Sequence, residues 1–122
     1  MRNFLNLVIW QKSHLLTLSI YRYTALFPKS EMFGLISQMR RSSSSISCNI
    51  AEGCGRHTIP DLIRFLTIAA GSCSELHYQL ILVRDLGYID SMTFIQLTQS
   101  LIELRKMIFK FIANTQPTTA DR

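Results

Sequence analysis

The sequence predicts an all-α protein, an antiparallel up-down-up-down four-helix bundle. Proline and glycine fall at few places, and those places divide the chain into four long segments. In each segment apolar residues recur at spacings of three and four, which is the period of one helix face. No stretch alternates with a period of two, so a β-sheet is not expected. Long helices joined by short connections favour antiparallel neighbours and therefore a bundle.

The first helix is predicted from about Leu7 to Phe27, where Pro28 ends it. Its face combines apolar and small residues at alternating spacings of three and four, and Leu16 and Tyr21 widen it. The members of this stripe are Trp10, Ser13, Thr17, Ile20, Thr24 and Phe27. A stripe of this width is what a helix buries against its neighbours.

The second helix is predicted from an N-cap at Ser30 to Gly53. It contains the serine-rich stretch "RRSSSSISCNIAEG", which by composition alone could be a flexible tether, a phosphorylation target or a helix with a close-packed face. The apolar positions favour the helix, because Ile46 and Ile50 continue the phase set by Leu35 and Met39. Serine has a mediocre helix propensity, so such a helix depends on packing for its stability.

A polar stripe borders the apolar face of the second helix, and a similar stripe follows the third. Its members in the second helix are Gln38, Ser42, Ser45, Asn49 and Glu52, and those in the third are Ser72, Glu75 and Gln79. Small side chains let two helices approach closely, and polar groups buried between them need hydrogen-bond partners. We therefore expect Asn49 and Glu75 to meet across this seam.

The third and fourth helices both begin at recognisable caps. The third opens on Thr58-Ile-Pro-Asp61, which resembles a capping box with proline in the first turn, and it closes at Gly87. The fourth starts near Asp90 or Ser91. The predicted core positions of the third are Leu62, Leu66, Ala69, Cys73, Leu76, Leu80 and Val83. Those of the fourth form a heptad seam, Phe94, Leu97, Leu101, Leu104, Ile108 and Phe111.

The 122 residues, 48% of them hydrophobic, predict a single domain over residues 1–114 with one core. The polar, proline-containing tail 115–122 is expected to fray. No apolar run approaches the roughly 20 residues that span a bilayer, and the N-terminal stretch lacks the features of a signal peptide. Three cysteines without a C-x-x-C pair suit reduced thiols. The sequence therefore predicts a cytoplasmic protein without a membrane partner.

No cofactor, metal or catalytic constellation is expected. The only Glu-His pair of the kind used by di-iron bundles, Glu75 and His77, has a spacing of two instead of three, which points the groups apart. Cys48, Cys54, His57 and Asn49 invite a Cys-His nucleophile. However, Cys48 is predicted in the middle of a helix beside the packed seam, as a buried small hydrophobe, and Cys54 in a turn between two glycines, as an incidental loop residue. "GCGR" is too short for a phosphate-binding fingerprint. The sequence thus predicts no enzyme.

The net charge of +5 is concentrated in the first half of the chain. Residues 1–60 hold seven Lys and Arg against two carboxylates, and residues 61–122 hold six of each sign. This balance suits an anionic partner, although it also suits solubility alone. Arg40, Arg41, Arg56 and Arg64 are the candidate nucleic-acid-binding residues, because guanidinium groups bind phosphates bidentately. Alternatively, Arg41 or Arg56 pairs with Glu52, Glu75 or a helix C-terminal carbonyl and locks the bundle.

The motifs "WQKS", "FPKSE", "SQMRRS", "NIAEG", "RFL", "IAAGS" and "DLGYI" follow one another over residues 7–112. Their order and spacing resemble those of the four-helix-bundle proteins encoded in intervening sequences of bacterial 23S rRNA genes. The accessory variability determinant of diversity-generating retroelements looks like a relative. The resemblance implies a small cytosolic homopentamer with a basic surface, a nucleic-acid role and no known catalytic activity.

Two functions remain open from the sequence. One is a pentameric nucleic-acid-binding protein, with structured RNA as the leading partner and DNA as another. The other is a protein-interaction scaffold whose ring docks a protein partner and whose charge is incidental. For the assembly itself, we expect exposed aromatic residues at the interfaces, namely Phe4, Trp10, Tyr23 and Phe109.

Overall fold

The computed structural model describes residues 2–116, and within that range the chain is a four-helix bundle without strands. The helices are α1 (Val8–Thr24), α2 (Ser37–Cys54), α3 (Ile59–Asp85) and α4 (Ser91–Thr115). Both α1 and α3 pack against α2 and α4. Ser42 contacts Glu75, and Ser45 contacts Ser72, so α2 and α3 run in opposite directions. The predicted antiparallel bundle is therefore confirmed. None of the described helices is long and apolar enough to cross a membrane.

The core contains most of the predicted stripe residues of all four helices, but Tyr21 of α1, which was predicted to widen its stripe, is exposed. All seven predicted positions of α3 are buried. In α4 the heptad seam is buried from Leu97 to Ile108, while Phe94 and Phe111 at its ends are half-buried. Ile46 and Ile50 of α2 are completely buried, so the serine-rich stretch is a helix that packs on both sides of these residues.

Two predicted helix starts are confirmed by their cap hydrogen bonds. The Thr58 hydroxyl accepts from the backbone N–H of Asp61 at 3.2 Å, and the Asp90 carboxylate accepts from the N–H of Thr93 at 2.7 Å. This second bond lowers the pKa of Asp90, because it favours the charged carboxylate. Gly87 follows α3 with φ at +81°, a left-handed conformation that only glycine adopts without strain.

The predicted start of the second helix at Ser30 is wrong. Lys29–Glu31 forms one 3₁₀ turn, and Met32–Ile36 forms a turn kinked at Gly34 before α2 begins at Ser37. Gly34 breaks the helical path, with φ −110° and ψ −113°. A Cβ at Gly34 would lie 2.9 Å from the Glu31 carboxylate, which accepts from the N–H of Leu35 at 3.5 Å. The turn therefore depends on glycine and Glu31 together.

The predicted meeting of Asn49 and Glu75 is also wrong. Asn49 donates within its own helix, to the carbonyl and the hydroxyl of Ser45 at 2.8 and 3.0 Å. Glu75 instead accepts from the Ser42 hydroxyl at 2.6 Å, and the Ser45 and Ser72 hydroxyls lie 3.0 Å apart. Serine hydroxyls therefore make the hydrogen bonds between α2 and α3, whereas the Asn49 amide bonds within its own helix.

The serine-rich stretch has a second polar seam, which faces α1. The Ser13 and Ser47 hydroxyls lie 2.9 Å apart, and the Thr17 hydroxyl donates to the Ser43 carbonyl at 3.1 Å. Ser43 is completely buried between the helices. The run of serines thus lets α2 approach both α1 and α3. The polar stripe predicted for α2 includes the contacts with α3 but not those with α1.

The structure moves the end of the domain by a residue. Thr115 is the last residue of α4, and Gln116 follows it with an extended backbone. The rest of the tail that was expected to fray, residues 117–122, lies outside the described residues.

Candidate nucleic-acid interface

The four candidate arginines lie in two groups at opposite ends of α2. Arg40 and Arg41 belong to its beginning, whereas Arg56 follows its last residue and Arg64 lies early in α3. At about 1.5 Å per residue the two groups are roughly 20 Å apart along the helix. One chain therefore does not bring all four guanidinium groups to one site.

Arg40 joins α2 to the end of α1. Its Nε donates to the Thr24 hydroxyl at 3.0 Å, and its terminal nitrogen donates to the Tyr21 carbonyl at 3.3 Å. The guanidinium carbon also lies 4.6 Å from the centroid of the Tyr21 ring. These contacts match the structural role that the sequence left open, with a carbonyl near a helix C-terminus as partner.

Arg41 is exposed beside it. Within residues 2–116 its guanidinium makes no hydrogen bond, ion pair or aromatic contact. The two adjacent arginines therefore differ. Arg40 is held by α1, whereas the guanidinium of Arg41 donates to none of the described residues and can donate to a phosphate.

A surface groove of about 500 Å³ separates the end of α1 from the start of α2, and both arginines line it. We call it the α1–α2 groove. Its described lining residues are Tyr21, Met32, Phe33, Ile36, Ser37, Arg40, Arg41 and Ser44. None of these residues is acidic, so the groove combines apolar surface with positive charge.

Arg56 and Arg64 meet at the other end of α2, beside Phe65. Their guanidinium carbons lie 4.7 and 4.4 Å from the centroid of that ring. Arg56 also forms an ion pair with Glu52 at 2.7 Å, as one alternative from the sequence suggested, and Arg64 forms one with Asp61 at 3.4 Å. Both pairs are solvent-exposed and contribute about 0–1 kcal/mol. A phosphate can therefore compete with either carboxylate.

Further cations at this end are not among the predicted residues. Arg2 donates its backbone N–H to the Cys54 carbonyl at 3.1 Å and lines a cleft of about 240 Å³ with Arg56 and His57. The last part of α4 carries three more exposed cations, Arg105, Lys106 and Lys110. The zero net charge of the second half concealed them, because it balances these cations against carboxylates spread over that half, of which Glu103 on α4 pairs with Lys12.

Two of the three thiols, those of Cys54 and Cys73, are buried and poorly suited to nucleophilic chemistry. Burial raises the pKa of Cys73 to about 12. Burial also raises the pKa of Cys54, against the opposing charge of the nearby Arg2. Two predictions for the cysteines are wrong: Cys48, predicted to be buried, is exposed on α2, and Cys54, predicted in a turn, is the buried last residue of that helix. Among residues 2–116, no cluster of three or more His, Cys, Asp or Glu side chains could hold a metal ion.

Comparison with known proteins places this bundle in a family. The family model of the 23S rRNA-intervening sequence proteins matches residues 5–110. The chain is also similar to a solved structure from Bacteroides thetaiotaomicron, described as a protein with unknown function from the S23 ribosomal protein family. The two share 27% identity with a TM-score of 0.79, over 86% of this chain and 98% of the other. No curated protein matches the sequence. With most of its length covered by the family model, the chain belongs to the 23S rRNA-intervening sequence protein family.

Proposed function

We propose that the protein is a non-enzymatic, homo-oligomeric RNA-binding protein that contacts the phosphate backbone through exposed cations. The observation that carries this proposal is Arg41, an exposed guanidinium without a partner among the described residues, in a groove without described carboxylates. Fixed positive charge of this kind binds phosphates and releases their counterions. The family's description, a protein of an rRNA intervening sequence, favours RNA over DNA.

Arg56 and Arg64 form a second phosphate-binding group in this proposal. Each exchanges a weak surface ion pair for a charge-assisted bond to phosphate. Arg40 acts mainly by holding the groove, because α1 already occupies two of its donors. Phosphate contacts position a ligand without reading its sequence, so binding should be insensitive to base composition.

The proposed assembly rests on an outward apolar stripe of α4. Its members are Met92, Ile95, Ile102 and Phe109, all exposed. The last three are spaced by seven residues, so they lie along one side of the helix, as subunit-contacting residues do. Of the aromatic residues predicted at interfaces, Phe4, Trp10 and Tyr23 are half-buried against the core, and Phe109 is the exposed one. A head-to-tail ring of five copies would cover this stripe.

A filter-binding titration at several salt concentrations tests the RNA proposal. Arg41→Ala should weaken binding to unrelated RNAs about equally and should flatten the plot of log K against log salt. The slope should be about −0.7 to −0.9 per phosphate neutralised, so losing Arg41 removes about one such contribution. Lys12→Ala is the matched control. It removes the same charge, but its ammonium is paired with Glu103 at 2.8 Å.

The controls decide between the two functions left open by the sequence. Equal losses in Arg41→Ala and Lys12→Ala would mean that net charge, and not this groove, governs binding. No retention of RNA or DNA by the intact protein at low salt would remove the nucleic-acid proposal and favour a scaffold that docks a protein.

A further inference from the structure

Phe33 is the most exposed large apolar side chain of residues 2–116, at 93%. It lies in the kinked turn before α2, next to Gly34. The Glu31 carboxylate stabilises this turn through both of its oxygens. One accepts from the N–H of Leu35 at 3.5 Å, and the other accepts from the Tyr88 hydroxyl at 2.9 Å. The exposure of Phe33 is therefore built into the fold.

The groove beside Phe33 combines apolar and positively charged surface, and none of its described lining residues is acidic. Tyr21 and Met32 add apolar surface that is 44% and 52% exposed. Arg40 and Arg41 provide the positive charge, and the Ser37 and Ser44 hydroxyls complete the described polar lining. An exposed ring beside cations without carboxylates is the arrangement with which proteins bind single-stranded nucleic acid, by stacking a base and neutralising its phosphates.

The shape of this surface favours a nucleobase over an acidic protein segment. Aromatic anchors of protein interfaces fill well-packed pockets in the partner, surrounded by residues that exclude water. Phe33 instead projects from an open groove and presents its ring to solvent. A stacked base needs one such face and no enclosing pocket, and every base can provide it.

We propose that the α1–α2 groove binds a single-stranded segment of RNA, with one unstacked base against the Phe33 ring and an adjacent phosphate on Arg41. This proposal rests on the proposed RNA-binding function and adds the form of RNA that is recognised. Duplex RNA keeps its bases stacked on one another, so it offers phosphates to Arg41 but no base to Phe33.

Fluorescence anisotropy with a labelled 12-nucleotide oligouridine and a duplex RNA of equal length tests this assignment. The intact protein should bind the single strand more tightly than the duplex at the same salt concentration. Phe33→Ala should weaken single-strand binding about 5- to 100-fold, which is the usual range for one stacked base, and should leave duplex binding unchanged. The salt slope should stay the same, because no charge is lost.

Two further variants complete the experiment. Phe33→Tyr keeps the ring and should bind the single strand within about two-fold of the intact protein. Tyr78→Ala removes an aromatic ring that is 61% exposed on α3, outside the groove, and should change nothing. Phe33 is exposed, so its substitution should leave the melting temperature unaltered.

The outcomes separate the two proposals. Normal single-strand binding by Phe33→Ala, with a loss in Arg41→Ala, would overturn the stacking role and keep the RNA-binding function. No RNA binding by the intact protein would overturn both. A lower oligomer mass in Phe33→Ala would assign the groove to contacts between copies. Tighter binding of an acidic, aromatic peptide than of the oligonucleotide would assign it to a protein partner.

Discussion

Glu31 connects the two loops at one end of the bundle. One carboxylate oxygen faces the N–H of Leu35 before α2, and the other accepts from the hydroxyl of Tyr88, 57 residues later in the chain. The Tyr88 ring packs against Phe27, with centroids 5.3 Å apart. A single acidic side chain thus fixes the turn that carries Phe33 to the connection between α3 and α4.

This bond makes stability sensitive to alkaline pH. The hydrogen bond to Glu31 raises the pKa of Tyr88, and burial and the Glu31 charge add to it. The folded state therefore holds the phenol proton more tightly than the unfolded state. The contribution to stability is complete below the unfolded value near pH 10 and is lost as pH rises through the folded pKa.

Tyr88→Phe should therefore lower the melting temperature at pH 7 and remove part of the further decrease above pH 10. Tyr78→Phe is the control, because that tyrosine is exposed on α3 and forms no hydrogen bond among the described residues. Thermal melts from pH 7 to 11 measure both effects. An alkaline decrease of the same size in Tyr88→Phe and the intact protein would contradict the role of the Tyr88–Glu31 bond.

The sequence identified all four candidate arginines but could not tell which of them is free. Arg56 and Arg64 have carboxylate partners four and three residues away, within reach of a sequence argument. The partners of Arg40 lie on α1, 16 and 19 residues earlier. Whether Arg40 or Arg41 reaches α1 depends on how α2 is rotated, and that is decided by packing and not by spacing.

For the helices, the sequence predicted boundaries that depend on nearby residues and missed a boundary that depends on residues distant in the chain. The starts of α3 and α4 were predicted to within a residue, because Thr58 and Asp90 bond to N–H groups three residues away. The start of α2 was missed by seven residues, because the turn before it depends on Gly34 together with Tyr88 from another loop. Periodicity alone therefore extended α2 through a kink.

The end of α2 offers a test of close helix packing. A Cβ added at Gly53 would lie 3.1 Å from the Phe65 Cβ and 3.2 Å from the Leu62 carbonyl oxygen. Since the carbonyl belongs to the α3 backbone, it cannot move away easily. Gly53→Ala should therefore destabilise the protein by about 1–3 kcal/mol, despite the better helix propensity of alanine.

Gly71→Ala is the matched control on α3. A Cβ at Gly71 meets no atom within 4 Å, so only the propensity gain remains, and the variant should be about 0.5–1 kcal/mol more stable. Urea denaturation of both variants measures the difference. Shifts of the same sign would show that the α2–α3 contact at Gly53 is looser than the described geometry.

For the whole molecule, the unit of function proposed here is larger than one chain. The two cation groups of a single bundle are separated by the length of α2, and each offers few phosphate contacts. A ring of five copies repeats both groups five times, and each additional contact strengthens binding at low salt. The outer stripe of α4 and the lining of the α1–α2 groove share no residue.

The last prediction concerns that assembly. Light scattering at micromolar concentration should give five times the chain mass of 14.0 kDa, about 70 kDa. Ile102→Asp places a charge in the middle of the outer stripe of α4, where burial between copies would be unfavourable, so this variant should dissociate to a single chain. Leu15→Asp is the control, because Leu15 is equally apolar and more exposed but lies on α1. It should keep the full mass.

If both variants fold normally, Ile102→Asp should also bind RNA more weakly and with a flatter salt slope than Leu15→Asp, because a single chain neutralises fewer phosphates. A monomer mass for the intact protein, or equal dissociation of the two variants, would show that this stripe does not join the copies.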